Sequence, residues 1–253
     1  MGGLGCIDHL RSLTGDRLFV VSGDKSYTTE ASLNGLGTPH IAFHGSFSMM
    51  VNYHAVNKYM HALGGDSIMG FDTEGFKISI FALGHTFDDY CETQLAFEES
   101  IRHFTTKEFL PLKNRMLKQL NQLEKADALA LLKLSRWDAN IVFSLNPTLT
   151  KLLPTASQAY KKECSQGFLE TFRQYYFMPN NKNLFFTLGY LHLLIHDTDI
   201  AIERFEASIQ YFSADASTYA NLALCYHQKE RWDDATDYAN KALELDKTFD
   251  LAK

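Results

Sequence analysis

Apolar residues recur at helical spacing through the middle of the chain. Positions three or four apart are apolar in three segments, ETQLAFEESIRHF, KNRMLKQLNQLEKADALALLKL and QAYKKECSQGFLETFRQYYF. This spacing predicts amphipathic helices. Pro147, Pro154 and Pro179 are expected to separate them, because proline interrupts a helix. We therefore predict a helical connector over residues 91–180. The alternative is a set of degenerate helical repeats, although no clear register of ~34 residues is present there.

Residues 1–90 carry shorter apolar runs of another kind. Arg17–Asp24 and Phe76–Gly84 are rich in β-branched and aromatic residues, which predicts buried strands, and HIAFHGS is a further extended candidate. The segment FSMMVNYHAVNKYMHALGG predicts a helix that stops at Gly64-Gly65. Strand, loop, helix and strand in this order indicate an α/β layered domain, but so few strands indicate a partial one.

The C-terminal segment repeats itself with an offset of ~34 residues. The matching pairs are Phe185 with Tyr219, Leu188 with Leu222, Gly189 with Ala223, Ala201 with Ala235, and Ile209 with Leu243. Small residues recur where two helices would cross closely, and large apolar residues recur where a hairpin core would fill. The pattern predicts two helical hairpins, 182–215 and 216–249, within a domain spanning 181–253.

These two segments resemble the tetratricopeptide repeat (TPR) family. Consensus positions of the second repeat hold Leu222, Ala223, Tyr226, Trp232, Ala235 and Ala242. The first repeat departs from the pattern with His192 where tyrosine is usual and Ser208 where alanine is usual. Neither repeat has the usual proline near its end, where Ser213 and Lys247 stand.

The TPR resemblance implies that a protein or peptide partner binds on a concave face lined by the first helix of each hairpin. The residues expected in this peptide-binding groove are Asn183, Phe186, Thr187, Tyr190 and Leu194, then Ser217, Ala220, Asn221, Leu224 and His227. The set contains no lysine, so a clamp for a carboxylate tail is not expected there. We expect a helical or extended peptide held by apolar contacts.

Residues 5–85 resemble the C-terminal half of the MidA-like S-adenosylmethionine-dependent methyltransferases. The resemblance rests on VVSGDKSY, on PHIAFHGSFSMMVNYHAVNKYMHALGG, and on a strand ending in FALG. Ser46, within His44-Gly45-Ser46-Phe47, stands where that family usually has aspartate. The implied fold is a Rossmann-like half domain, and some bacterial relatives carry helical repeats behind it.

The cofactor-binding half of such an enzyme is not recognisable in this sequence. It needs a strand, a Gly-rich turn and a later acidic residue, yet no strand precedes Gly2-Gly3-Leu4-Gly5. We therefore interpret the chain as a fragment, a shortened gene product or one part of a split protein. No cofactor is expected on this chain alone, and S-adenosylmethionine is expected if the missing half is present.

Polar side chains after the predicted strands are the candidates for chemistry. Asp24, Lys25 and Tyr27 follow the first strand, and His44 and Ser46 follow the second. Because ligands bind at the C-terminal ends of strands in open α/β sheets, these side chains are expected to form a substrate rim, with Asp24 or His44 accepting a proton. The alternative is structural, since serines such as Ser46 and Ser48 commonly cap helices.

Two further arrangements lead to a hydrolase or metalloenzyme hypothesis. Three histidines, His40, His44 and His54, suggest a metal site. Ser46 with His54 and Asp24 suggests a catalytic triad, although no G-x-S-x-G motif supports it. Neither arrangement is favoured by its spacing.

Composition narrows the function classes. The 253 residues carry a formal charge of −6, which argues against a nucleic-acid partner. No apolar run approaches the ~20 residues of a membrane span, and the four cysteines show no CxxC spacing. We predict a cytoplasmic protein that binds other proteins through its TPR hairpins. The alternative is an S-adenosylmethionine-dependent protein methyltransferase whose repeats recruit the substrate.

Overall fold

The computed structural model describes residues 2–38, 41–43, 47–70, 75–102, 106–177 and 182–247. The chain divides into two compact units, Met1–Leu112 and Lys113–Lys253. The sequence-based division placed boundaries near residues 90 and 180 instead. The elements of the first unit are α1 (Gly2–Thr14), β1 (Leu18–Tyr27), β2 (Ala42–Phe43), β3 (Phe47–Ser48), β4 (Val51–Asn52), α2 (Tyr53–Ala62), β5 (Asp66–Ile68), β6 (Phe76–Leu83), α3 (Cys91–Phe97) and α4 (Thr106–Leu117), the last of which continues beyond residue 112.

A mixed four-stranded sheet in the order β4-β1-β6-β5 forms the centre of the first unit. β1 and β6 pair antiparallel from Leu18 opposite Leu83 to Lys25 opposite Phe76. β5 is also antiparallel to β6, and only β4 is parallel to β1. The predicted α/β character is thus present, whereas the parallel pairing of an extended Rossmann-like sheet is limited to two residue pairs.

β6 is buried on both faces, which explains its uninterrupted apolar sequence. Phe81 and Leu83 pack with Tyr53 and Met60 of α2 on one face. Ile80 and Ala82 pack on the other face with aromatic residues that follow the strand, Phe87 and Phe97.

The helix after β4 begins later than the sequence pattern predicted. Asn52, rather than a serine, caps α2 by accepting a hydrogen bond from the backbone N–H of Ala55 at 2.9 Å. Ser48 lies in β3, and most of the predicted extended segment around His44 falls outside the described residues. The predicted stop is confirmed, because Gly64 has a φ of +79°, which glycine adopts without strain.

The second unit is a stack of antiparallel helices. Its elements are α5 (Lys125–Leu134), α6 (Ala139–Leu152), α7 (Gln158–Gln174), α8 (Leu184–Leu194), α9 (Thr198–Phe212), α10 (Ala216–Gln228) and α11 (Trp232–Leu245). α8 packs against α6, α7, α9 and α10. A helix with neighbours on so many sides must be apolar around its circumference, as LFFTLGYLHLL is.

Specific contacts give the direction of the helices before α8. The Tyr160 hydroxyl donates to the Lys125 carbonyl at 2.9 Å, and the Thr171 hydroxyl donates to the Trp137 carbonyl at 2.8 Å, so α5 and α7 run parallel. Phe168 contacts His192, while the later Phe172 contacts the earlier Phe185, so α7 and α8 run antiparallel. α6, α8 and α10 therefore form one layer, and α5, α7 and α9 form the other.

Candidate functional site

The turns of the two predicted hairpins, α8–α9 and α10–α11, have the same geometry. His196 and Glu230 both adopt positive φ, at 68° and 57°. The N–H of the next residue, Asp197 or Arg231, then bonds to a carbonyl five residues back, at 3.0 Å and 2.9 Å. Equal turns at equivalent positions confirm that the two segments share one hairpin design.

Gly189 marks the close crossing of α8 and α9, as the repeat pattern predicted. A Cβ atom at this position would lie 3.0 Å from the ring of Phe205. The Phe205 ring is fully buried with Leu222 and Cys225 of the next hairpin. The two hairpins therefore share one apolar core.

Both departures from the TPR pattern in the first hairpin have partners in the structure. Ser208 is buried and accepts a hydrogen bond from the amide of Asn183 at 2.8 Å. His192 is fully buried, with its Nδ1 3.3 Å from Asp197 and its ring edge-on to Phe168. Burial lowers the pKa of His192 to about 4, and Asp197 opposes this shift only in part. His192 is therefore neutral near pH 7.

The predicted groove residues of α8 are largely engaged within the stack. Asn183 caps α8 by accepting from the N–H of Phe186 at 3.0 Å, and Thr187 is buried with its hydroxyl on the Asn183 carbonyl. Phe186 and Tyr190 are half-buried against the core shared with α10. Leu194 is half-buried at the end of the helix.

The predicted groove residues of α10 are more open. Leu224 is 45% exposed and His227 is exposed. The His227 ring packs edge-on against Trp232, itself an exposed side chain, at 5.0 Å. Asn221 is half-buried and donates to the Ser217 carbonyl. This part of the layer can offer apolar and aromatic surface to a polypeptide, with amide groups beside it.

The helices before α8, predicted as a connector with degenerate repeats as the alternative, share a burial pattern with the hairpins. Cys164, Phe168 and Thr171 of α7 have the same spacing as Ala201, Phe205 and Ser208 of α9, and all six are buried. Their offset exceeds the ~34 residues of tandem repeats, so a search at fixed period does not detect them. The signal that remains in the sequence is the i, i+4, i+7 pattern of small, large and small residues.

The structure describes only part of the predicted rim of the first unit. Asp24, Lys25 and Tyr27 lie inside β1 and not after it, because the strand continues to Tyr27. Asp24 and Lys25 are exposed, and the Asp24 carboxylate accepts from the Lys25 N–H at 2.6 Å. The other rim candidates, His44 and Ser46, lie outside the described residues.

The histidine hypotheses receive no support from the described residues. His54 lies 3.9 Å from Glu30, whereas the predicted metal partners His40 and His44 lie outside the described ranges. Where the structure describes the chain, no three His, Cys, Asp or Glu side chains are grouped to hold a metal ion. No helix among the described residues is both long and apolar enough to span a membrane.

Comparison with known proteins supports the TPR prediction at its C-terminal end. Residues 216–249 match the tetratricopeptide repeat family. Among solved structures, a MamA crystal structure is 18% identical with a TM-score of 0.36, over 56% of this chain and 69% of that one. MamA AMB-1 is 16% identical with a TM-score of 0.30, over 57% of this chain and 94% of that one. MamA MSR-1 is 16% identical with a TM-score of 0.29, over 55% of this chain and 97% of that one. No curated protein matches the chain.

Proposed function

We propose that this protein binds another polypeptide through the layer formed by α8 and α10. The observation that carries the proposal is the family match of 216–249 together with the shared core and equal turns of the two hairpins. Hairpins of this kind act as rigid scaffolds for peptide recognition. We assign 182–215 to the same repeat family on the basis of its hairpin geometry.

The chemistry of the surface favours a partner with apolar side chains. Leu224 of α10 and Trp232 at the start of α11 are exposed, and Tyr190 and Leu194 of α8 are half-buried. Apolar and aromatic side chains supply most of the affinity in protein interfaces. The groove positions on α8 and α10 contain no lysine or arginine, so an acidic tail has no charged partner among them.

A peptide-display library selected against the full chain tests the proposal. Selected peptides should lose at least tenfold in affinity for Leu224→Asp, because the substitution puts a charge in the apolar surface. Leu245→Asp is the matched control, since Leu245 is similarly exposed but lies on α11. Equal binding by the two variants, or a library that yields no binder, would contradict the proposal.

S-adenosylmethionine-dependent protein methylation is a second candidate for the first unit. The order of its elements supports this candidate, since β1, α2 and β6 occur in the chain order that the methyltransferase resemblance implies, although short strands lie between them. Gly64 follows α2 and Gly84 follows β6. The repeats would then recruit the substrate. Calorimetric titration with S-adenosylmethionine tests this candidate function. The absence of a heat of binding at millimolar cofactor would exclude methyltransferase activity for this chain.

A further inference from the structure

A small cleft opens where β1 begins and β6 ends. It has a volume of about 250 Å³ and lies within the first unit. Its lining residues are Arg17, Leu18, Phe19, Ala82, His85 and Tyr90. Leu18, Phe19 and Ala82 thus supply apolar lining, and Arg17 supplies a cation.

Arg17 holds a fixed orientation in this cleft because it is bonded to His85. Its Nη2 and Nε atoms lie 2.9 Å and 3.3 Å from the Nε2 atom of His85. Arginine only donates hydrogen bonds, so the Nε2 atom of His85 accepts them. The His85 ring is in turn held edge-on by Tyr90 at 5.6 Å.

The remaining donors of Arg17 have no acidic partner among the described residues. Two of five guanidinium N–H groups point to His85, which leaves the edge formed by Nη1 and Nη2. The neighbouring carboxylate of Asp16 is paired with Arg11 at 2.9 Å. A free guanidinium edge matches a carboxylate, which accepts two parallel hydrogen bonds from it.

An apolar strip, formed by Phe19, Val21 and Phe76, extends from the cleft along the same face of the sheet. These side chains are 52%, 64% and 48% exposed. Phe19 and Val21 alternate along β1, and the ring of Phe76 lies over Gly23, the next position on that face. The strip continues about 13 Å from Phe19 to Gly23, at ~3.3 Å per residue.

We propose that the Arg17 cleft and the apolar strip bind the C-terminal end of another polypeptide. The terminal carboxylate pairs with the free edge of Arg17, and the last side chain enters the cleft. Preceding apolar side chains at alternate positions lie on the strip, because an extended chain repeats its side chains every ~7 Å on one face. A small organic acid would use the cleft and leave the strip uncovered. This surface is separate from the proposed groove on α8 and α10, whose helix positions carry no cation.

Nuclear magnetic resonance titration of the isotope-labelled full chain tests the proposal. The probe is the peptide acetyl-Ser-Val-Ser-Val-Ser-Phe with a free C-terminal carboxylate. Expected shifts are confined to β1, β6 and residues 85–90. The C-terminal amide of the same peptide should bind at least tenfold more weakly, and 3-phenylpropionate should also bind at least tenfold more weakly.

Substitutions separate the cleft from general charge effects. Arg17→Gln should weaken binding of the peptide with the free carboxylate at least tenfold. Arg11→Gln removes a nearby guanidinium outside the cleft and should leave this binding unchanged. Val21→Thr should weaken binding of the peptide but not binding of 3-phenylpropionate. Unchanged resonances of β6 in each variant show that the sheet is intact.

Several results would overturn the proposal. These are equal affinity of acid and amide, equal affinity of the Arg17→Gln variant, and 3-phenylpropionate binding as tightly as the peptide. Shifts on α8 and α10 instead of the sheet, or no shift at 5 mM peptide (about the weak limit of specific binding), would also overturn it. None of these outcomes bears on the library experiment, which tests the groove of the second unit.

Discussion

His192 occupies a position where a neutral side chain is required. It is fully buried between Asp197 and the ring of Phe168, and its Nε2 atom has no hydrogen-bond partner within the part of the chain that the structure describes. A proton on this ring would place a charge inside the core, away from water. The environment thus favours the neutral form of histidine over the charged form.

Acid should therefore destabilise the helical unit through His192. Burial lowers the folded-state pKa to about 4, whereas an unfolded histidine titrates near ~6.5. Between these values the unfolded chain binds more protons, so the free energy of unfolding falls as pH drops from ~6.5 to ~4, by up to about 3 kcal/mol. Denaturant titrations at pH 7 and pH 4.5, followed by circular dichroism, measure the difference.

Variants identify the contribution of this one ring. His192→Phe keeps the contact with Phe168 and should lose most of the pH dependence, while His196→Asn, at an exposed position, should keep it. A loss of stability with acid that is equal in all three proteins would assign the effect to other groups.

Gly189 shows how little space separates α8 from α9. A side chain larger than a methyl group would push into the ring of Phe205, since a Cβ alone already lies at 3.0 Å. Gly189→Leu should lower the free energy of unfolding by about 1–3 kcal/mol, the usual cost of overpacking a core. Chemical denaturation of each single variant, Gly189→Leu and Phe205→Ala, and of the double variant measures these losses in the free energy of unfolding. A loss in the double variant that equals or exceeds the sum of the two single losses would contradict this explanation.

At the scale of elements, apolar runs predicted the strands well and their ends poorly. Arg17–Asp24 was recognised because four apolar residues follow one another. Its continuation to Tyr27 was missed, because the polar residues Asp24 and Lys25 extend the ladder opposite β6 without being buried. The candidate residues Asp24, Lys25 and Tyr27 therefore lie within the last four residues of β1 instead of after it.

The helices show the same dependence on local signals. The hairpins α8–α9 and α10–α11 were found because their offset is regular. The equivalent α7 pattern was missed because its connection to α8 is longer, and the cap of α2 was misassigned because two serines precede the asparagine that caps it. The α7 pattern is recognised through its contacts with α8, whereas the cap of α2 is a local contact for which the sequence offers several candidates.

Asn183 joins two elements with a single amide. Its oxygen caps α8 and its nitrogen donates to Ser208 of α9. Asn183→Ala removes both bonds and should destabilise the helical unit by about 2 kcal/mol, the sum of a typical cap and a typical buried hydrogen bond. Asn183→Asp keeps the cap and should lose less. Thermal or chemical unfolding ranks the three proteins, and equal stability of alanine and aspartate variants would show that the cap contributes nothing.

On the scale of the whole molecule, both units leave large apolar residues exposed. In the sheet unit, Phe19, Val21 and Phe76 lie together on one face. Exposed apolar patches of this kind mark interaction surfaces.

The exposed strip should bind an environment-sensitive dye. We expect fluorescence of anilinonaphthalene sulfonate with the folded chain at neutral pH, and a reduction by more than half in a Phe19→Ser, Val21→Thr variant, because the strip is then polar. Leu224→Asp, which removes apolar surface from the other unit, is the control and should change the signal less. Dye binding that is insensitive to the sheet variant would show that the strip is covered in solution.

α8 also has consequences for synthesis on the ribosome. The chain emerges from its N-terminus, so α6 and α7 are available to α8 first, while α9 and α10 follow later. Until those helices leave the exit tunnel, one side of LFFTLGYLHLL stays uncovered. A messenger broken between the codons for α8 and α9 would thus release a product with a strongly apolar end, of the kind that chaperones and proteases recognise.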